Sequence, residues 1–422
     1  MTQSNRIFLT SFIQQYVDET AYLCCYRKQS SSSSNEKLDK VLEYHSRLEA
    51  NIDGLLLSGE PAWHLCKENL ELEDPDEFFT AAVFAIGTSD QEKLDEVFEL
   101  AGDNIELLDA IADALSWFPL EQSQSILDND INSNNILRVY TAMYALTSHR
   151  AITPRLQLAL SEALRSDHLP LIRQALVSIG ELGLAHYLPK LQGFIYHQDE
   201  SIQFAAAWSA SRFGDAQALQ QLKTFVDHPQ YFEKALHFVL TQQDLYATSE
   251  MIRQLISNKE TIRHGIIAIG MLGNPSIIPQ LLEFMNTAET ARIAADAFCN
   301  ITGLDLEENK MDVDEPEGFE AGPNDDPEDE NVDMDPDEDL PWPDVEKLIN
   351  WWAQNQNQFP SGHLYICGKP KSKTQYENIL RNGNQKQRAF AANCLGLLDP
   401  QTPIFNVYAP AKWQMQLLGI SS

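Results

Sequence analysis

Positive charge is the scarcest feature of this chain. Its 422 residues carry 30 Lys and Arg against 62 Asp and Glu, a formal charge of −32. A field of that sign repels phosphate backbones, so nucleic acid is excluded as a backbone-bound partner. The six cysteines (Cys24, Cys25, Cys66, Cys299, Cys367 and Cys394) include no CxxC pair. A disulfide framework is not expected in a chain this long and rich in apolar residues. No apolar run reaches the roughly 20 residues that a membrane span needs. The opening stretch, MTQSNRIFLTSFIQQYVDET, lacks the basic start and unbroken apolar segment of a secretory signal. A cytoplasmic protein with no membrane contact is the expectation. Neither G-x-S-x-G, a P-loop nor G-x-G-x-x-G occurs, so the common nucleophile and phosphate motifs are missing too.

What is present is a large apolar content, 43% of residues, which rules out a wholly disordered chain. The charge is unevenly spread. Residues 1–134 hold 26 acidic and 8 basic side chains, and residues 135–290 are nearly balanced at 13 and 12. Residues 291–339 hold 19 and 2, and residues 340–422 reverse the sign at 4 and 8. Residues 6–26 read as an amphipathic helix, the serine run Ser30–Ser34 as a loop, and a second long helix starts near Asn35. From Pro75 onward the pattern changes to short helices in pairs.

The middle of the chain repeats itself. Ile172-Arg173 through Ile179-Gly180 to Gly183 returns ninety residues later as Ile262-Arg263 through Ile269-Gly270 to Gly273. Between them lies Ile202 to Gly214, with a degenerate copy near 231–241, and Thr290 to Gly303 closes the series. Gly183, Gly214, Gly273 and Gly303 are spaced by 31, 59 and 30 residues, a period near thirty with one degenerate unit. In each unit a first helix with small residues at close-approach positions ends at a glycine, which takes the left-handed cap conformation at little cost. A second helix follows, with Pro in its first turn in the case of Pro189. No unit can bury its apolar face alone, so neighbours must stack. The expected fold is all-α, an α-solenoid of HEAT-like helical-hairpin repeats with a disordered acidic insertion. Its expected divisions are an N-terminal helical block (1–74), the array (75–304), the acidic loop (305–339) and a C-terminal segment resealing the array (340–422).

The insertion rests on composition. Asp305 to Asp339 contains 18 acidic residues, one lysine and four prolines, too little apolar area to offset ordering entropy. Asp333, Asp335, Asp337, Asp339 and Asp344 fall at positions 1, 3, 5, 7 and 12 of a calcium-loop spacing, but Glu338 stands where the sharp turn needs glycine. The favoured readings of Asp333, Asp335, Asp337 and Asp339 are a solvated linker, a partner-binding polyanion, or a tract folded onto the chain's own basic end (Lys369, Lys371, Lys373, Arg388). No metal or cofactor site is expected. His64 and Cys66 form one close His/Cys pair with no second pair to complete a zinc set. His363 and Cys367 lie four apart, but Gly362 and Gly368 argue for a turn there. Trp342, Trp351 and Trp352 are read as core. Second helices are expected to line the concave face and to present Lys190, Gln220, Lys223 and Arg253 to a protein partner.

The repeat region, Ile172 to Gly183 and Ile262 to Gly273, resembles the PBS-lyase HEAT-like repeats of many bacterial proteins. The order of the whole chain is similar to a family of bacterial proteins often encoded near type VI secretion genes. It runs from Ala62-Trp63-His64-Leu65 through the repeats and acidic tract to Leu340-Pro341-Trp342-Pro343-Asp344, Trp351 and Gln387-Arg388-Ala389-Phe390. That resemblance implies a secretion-linked accessory or immunity role and supplies no catalytic residues. The expected function is therefore a non-catalytic scaffold for a protein partner, such as a basic effector. The alternative is a groove that binds a ligand or acts as a lyase-like enzyme, which requires a compact cluster of ionisable groups inside the groove.

Overall fold

The computed structural model describes residues 3–31, 33–319, 321–322 and 334–420, with residues 3–9 described by backbone only. Among them are 22 α-helices and two two-stranded ribbons.

Three helices open the chain: α1 (Gln3–Ser30), α2 (Leu38–Ser58) and α3 (Glu60–Asn69). Helical hairpins follow. Their first helices are α4 (Pro75–Gly87), α6 (Ile105–Trp117), α8 (Ile136–Ser148), α10 (Leu169–Glu181), α12 (Glu200–Arg212), α14 (Phe232–Gln242), α16 (Ile262–Leu272) and α18 (Ala288–Thr302). Their second helices are α5 (Gln91–Ala101), α7 (Leu120–Asp130), α9 (Pro154–Ala163), α11 (Leu188–Leu191), α13 (Ala216–Leu222), α15 (Leu245–Ile256) and α17 (Ile278–Phe284). Asp or Asn side chains cap many of these helices at the N-terminus, as Asp74, Asn104, Asn135, Asp199 and Asp215 do.

First helices pack on first helices because small residues stand at their contacts. A Cβ built on Gly180 falls 2.2 Å from Ser209 Oγ, and one on Gly270 falls 2.8 Å from the Ala297 backbone. This close-set row faces the interior cavity, which no second helix lines among the described residues. The expectation that second helices would line the concave face is therefore corrected. The small residues that let helices approach are on the first helices, and the row with the shorter spacing takes the inner radius.

The acidic segment also departs from expectation. Residues 305–319 and 334–339 have definite structure against the array, while 320 and 323–333, Asp333 included, lie outside the described residues. Strand β1 (Asp312–Val313) pairs with β2 (Trp342–Pro343). Arg292 of α18 stacks on Trp342, 4.6 Å from its centroid, and pairs with Asp335 at 2.5 Å. Arg263 of α16 pairs with Asp337, which is 4% exposed. Composition alone misses this because the cations that offset the tract lie in the repeats, not near it in sequence.

The rest of the chain runs α19 (Val345–Asn355), a ribbon of β3 (Tyr365–Ile366) and β4 (Lys369–Pro370), α20 (Lys373–Asn382), α21 (Gln385–Leu398) and α22 (Ala411–Leu418). It docks on the turns that follow the first helices. Tyr365 N–H donates to Gly273 O at 2.7 Å, Cys367 N–H to Asn300 O at 2.7 Å, and Ile404 N–H to Glu181 O at 2.8 Å. Glycines leave room for this. Gly273 has φ +76° and its missing Cβ would lie 1.9 Å from Tyr365 O; Gly183 has φ +72° and the same atom would meet Gln401 and Thr402 at 2.8 Å.

The segment then reaches the N-terminal helices. Gln385 N–H donates to Glu36 O at 2.9 Å, and Leu38, Val41, Ala411 and Met415 form a small apolar cluster between α2 and α22. The two ends of the array are thereby joined. Two buried histidines sit where this segment packs on the helices, His45 on α2 and His237 on α14. His45 Nδ1 accepts from Ala411 N–H at 2.9 Å, and Asn393 Nδ2 lies 2.8 Å from His237 Nδ1. Burial lowers both imidazoles to about 3, so both are neutral.

Two predictions follow from this geometry. Gly273→Ala loses about 3 kcal/mol or more, because it adds left-handed strain to a clash with the Tyr365 backbone. Gly102→Ala, with φ +55° and nothing within 4 Å of the new carbon, loses about 1–2 kcal/mol from strain alone. Urea unfolding of both variants checks this, and equal losses contradict the docking role. The second prediction concerns acid. Unfolded histidine takes a proton near pH 6.5 and these two only near 3, so stability is complete above about 6.5 and falls as pH drops towards 3. At pH 5 each histidine costs about 2 kcal/mol. Melting temperatures across pH 4–8 should fall less steeply on the acid side for His237→Gln than for the parent chain.

Candidate functional site

Inside the ring lies a cavity of about 500 Å³. Among the described residues, its walls come from α1, the first helices α6 to α16, α21 and residues 404–413, and no second helix contributes. Six cations and four carboxylates line it: Arg27, Lys28, Arg150, Arg173, Lys234 and Lys386 against Asp109, Asp113, Glu181 and Glu233. In a chain of charge −32 this interior is net positive.

Part of that charge is neutralised locally. Arg27 of α1 pairs with Asp113 of α6 at 3.0 Å, and Tyr144 of α8 donates to the same carboxylate at 3.0 Å. One turn away, Tyr140 donates to Asp109 at 2.5 Å and receives Arg173 at 3.3 Å. Burial, only partly offset by the Tyr140 bond, raises the Asp109 carboxyl above its ordinary range. Arg150 pairs with Glu181 at 2.6 Å and donates to Ile404 O at 2.7 Å. Arg212, one repeat further on, is 2% exposed and donates to the carbonyls of Gly180, Gly396 and Thr402. Arg150, Glu181 and Arg212 stand 31 residues apart, and together they bind the C-terminal stretch to three consecutive repeat turns. Sequence reading missed this ladder. The thirty-one-residue spacing was available, but its partners are backbone carbonyls, which carry no sequence signal.

The residues expected to form a site are dispersed. Lys190, Gln220, Lys223 and Arg253 are on or beside second helices, in the outer row. Lys190 reaches Ser161 at 3.2 Å and Arg253 pairs with Glu250 of its own helix. Asp335 and Asp337 are engaged by Arg292 and Arg263, and Asp344 caps α19 and pairs with Lys347 at 2.9 Å. The carboxylates of Asp335 and Asp337 therefore answer arginines and that of Asp344 a lysine, while Asp333 lies outside the described residues. Asp339 is exposed, and its backbone carbonyl accepts from Asn35.

The basic end is not one patch either. Lys369 and Lys373 are exposed. Lys371 donates to Met271 O at 2.6 Å, and burial lowers its ammonium to about 8. Arg388 is 0% exposed and donates to Leu380 O, Gln385 and Gln414. Neither contacts the acidic segment. Burial also lifts the thiols of Cys24, Cys66 and Cys367 to about 12, which leaves them protonated and unreactive at neutral pH. Trp342 is buried, and Trp351 and Trp352, half-buried, pack on Phe298 and Phe359 at the margin of the core.

A different surface has a regular chemistry. The turns from each second helix to the next first helix form an edge that the C-terminal segment leaves open. Carboxylates recur on or beside it: Glu73, Asp103, Asp167, Asp227, Glu260 and, in the first turn of α18, Glu289 are all exposed, and none is in a salt bridge among the described residues.

Residues 157–238 match the family model for HEAT repeats. The middle of the chain carries HEAT repeats. The matched stretch runs from within α9 into α14 and supplies much of the cavity wall. A search of curated proteins finds no match to the chain. HEAT repeats commonly serve as protein-interaction scaffolds, with faces built for binding. No helix among the described residues is long and apolar enough to cross a membrane.

Removing the Arg292 side chain should free the acidic segment, because Asp335 and the Asp337 carbonyl lose their donor together. Arg292→Met is expected to cost about 3 kcal/mol and to open residues 334–339 to limited proteolysis. An unchanged cleavage pattern contradicts that hold.

Proposed function

We propose that the chain is a non-catalytic scaffold whose carboxylate-bearing edge docks a basic protein partner. The observation that carries this reading is an exposed carboxylate outside any salt bridge at or beside six of the turns of one edge, from Glu73 to Glu289, with the turns before α8 and α12 lacking one. Repeats stacked in register convert one residue per unit into a line of like charge. Such a line costs stability through self-repulsion unless a cationic ligand relieves it. Leu72 and Leu100, 68% and 51% exposed, lie beside the N-terminal end of this line and offer an apolar anchor. The resemblance in chain order suggests a setting near type VI secretion. There the partner is a secreted effector or the machinery that loads it, and the role is accessory or immunity. Association is steered by charge and weakened by salt.

The test is a tagged capture from the native cells at low and high salt, read by mass spectrometry, with the parent chain beside Asp103→Lys/Asp167→Lys/Asp227→Lys. One basic partner in fixed ratio, held by the parent at low salt and lost in the triple variant, is the predicted result. The association rate of the triple variant should drop by about tenfold or more at low salt. A partner retained equally by both contradicts the edge as the docking surface.

A further inference from the structure

We propose that the cavity inside the ring is a binding site for a small organic oxyanion with a planar apolar body. Its size is the first support. About 500 Å³ lies within the range of ligand pockets and exceeds what packing defects leave.

Its charge is the second. Of the six lining cations, Arg173, Lys234 and Lys386 have no carboxylate within salt-bridge distance among the described residues. Arg173 donates to one side-chain partner among the described residues, the Tyr140 hydroxyl, which is itself committed to Asp109. Carboxylates outnumber cations twofold in this chain, so unpaired cations turned inward are not explained by a shortage of partners. Glu233 shares the cavity and offsets one of the three. The remainder favours an anionic occupant.

The third support is an orphaned donor. Trp208 lines the cavity, is 6% exposed, and its buried Nε1–H has no hydrogen-bond partner. A buried N–H without an acceptor costs about 1–3 kcal/mol, which a ligand oxygen removes. His237 also lines the wall. It is neutral, and Asn393 donating to Nδ1 leaves the Nε2 position to carry its proton, a second neutral donor. Phe204 and Trp208 supply aromatic surface for the planar body. This chemistry is independent of the outer acidic edge. Loss of one does not imply loss of the other.

Phosphate monoesters and free carboxylates of this description share the oxyanion that the cations and donors recognise, and the experiment separates them. Calorimetric titration of the full chain would use 1-naphthyl phosphate, 1-naphthoate and the neutral 1-naphthalenemethanol. One-to-one binding of at least one anion, about tenfold or more tighter than the alcohol, is expected. A preference for the phosphate assigns a phosphorylated ligand, and a preference for the carboxylate assigns a carboxylic acid. Arg173→Gln/Lys386→Gln should weaken the anion by about tenfold or more and leave the alcohol unchanged. Trp208→Phe, which keeps the ring and removes the donor, should weaken it severalfold. Thermal melts of each variant establish that it is folded. Binding of neither anion, equal binding of the alcohol, or full affinity in the folded double variant overturns the proposal.

Discussion

The architecture depends on backbone hydrogen bonds between the C-terminal stretch and the ends of the first helices. A solenoid of paired helices normally has two ends, each with an apolar face that needs a cap. Here a single crossing segment starts at α18, follows the turns after α16, α12 and α10, and finishes against α2. Each step uses carbonyls that a helix C-terminus leaves without partners. Glycine permits the approach at Gly273 and Gly183, and Arg150 and Arg212 add donors where the backbone supplies none. The cavity exists because of this closure. With α21 and residues 404–413 absent, its inner wall would be an open groove.

Charge is sorted by the same topology. Arginines that read as equivalent positions in the repeat face different surroundings. Arg263 and Arg292 hold the acidic segment, while Arg173 turns towards the cavity and finds only a tyrosine hydroxyl. Arg150, Arg173, Lys234 and Lys386 thus face the cavity, and Arg263 and Arg292 face the acidic segment. The edge between hairpins keeps carboxylates without partners. An acidic exterior around a cationic interior follows from where the crossing segment and the acidic tract dock, and the net charge of the chain does not reveal it.

The hairpin array was legible in the sequence because a thirty-residue period with terminal glycines has one physical reading, stacked helical pairs. Gly183, Gly214, Gly273 and Gly303 do adopt positive φ at the ends of first helices. Their second role, admitting another strand of backbone, was not legible, since the partners at 365, 367 and 401–402 present main-chain atoms. Small residues at close-approach positions were legible on the first helices, but which row they turn towards the cavity was not, since that depends on contacts such as Gly180 with Ser209 and Gly270 with Ala297. Asp335 and Asp337 read in sequence as part of a solvated or partner-binding acidic tract, and the cations that meet them, Arg292 and Arg263, come from the repeats. The cavity left no trace in sequence, because Arg173, Trp208, His237 and Lys386 come from four helices and only the fold brings them together.

Ring closure is the claim on which the rest stands, and hydrogen exchange of the intact chain tests it most directly. If the crossing segment is docked as described, the amides of Tyr365, Cys367 and Ile404, which donate to Gly273, Asn300 and Glu181, exchange as slowly as those in α10 and α16. They should also slow together. Rapid exchange at these three amides, with the helices still protected, would show an open array with a loose C-terminal segment and would contradict both the joined ends and the cavity walled by that segment.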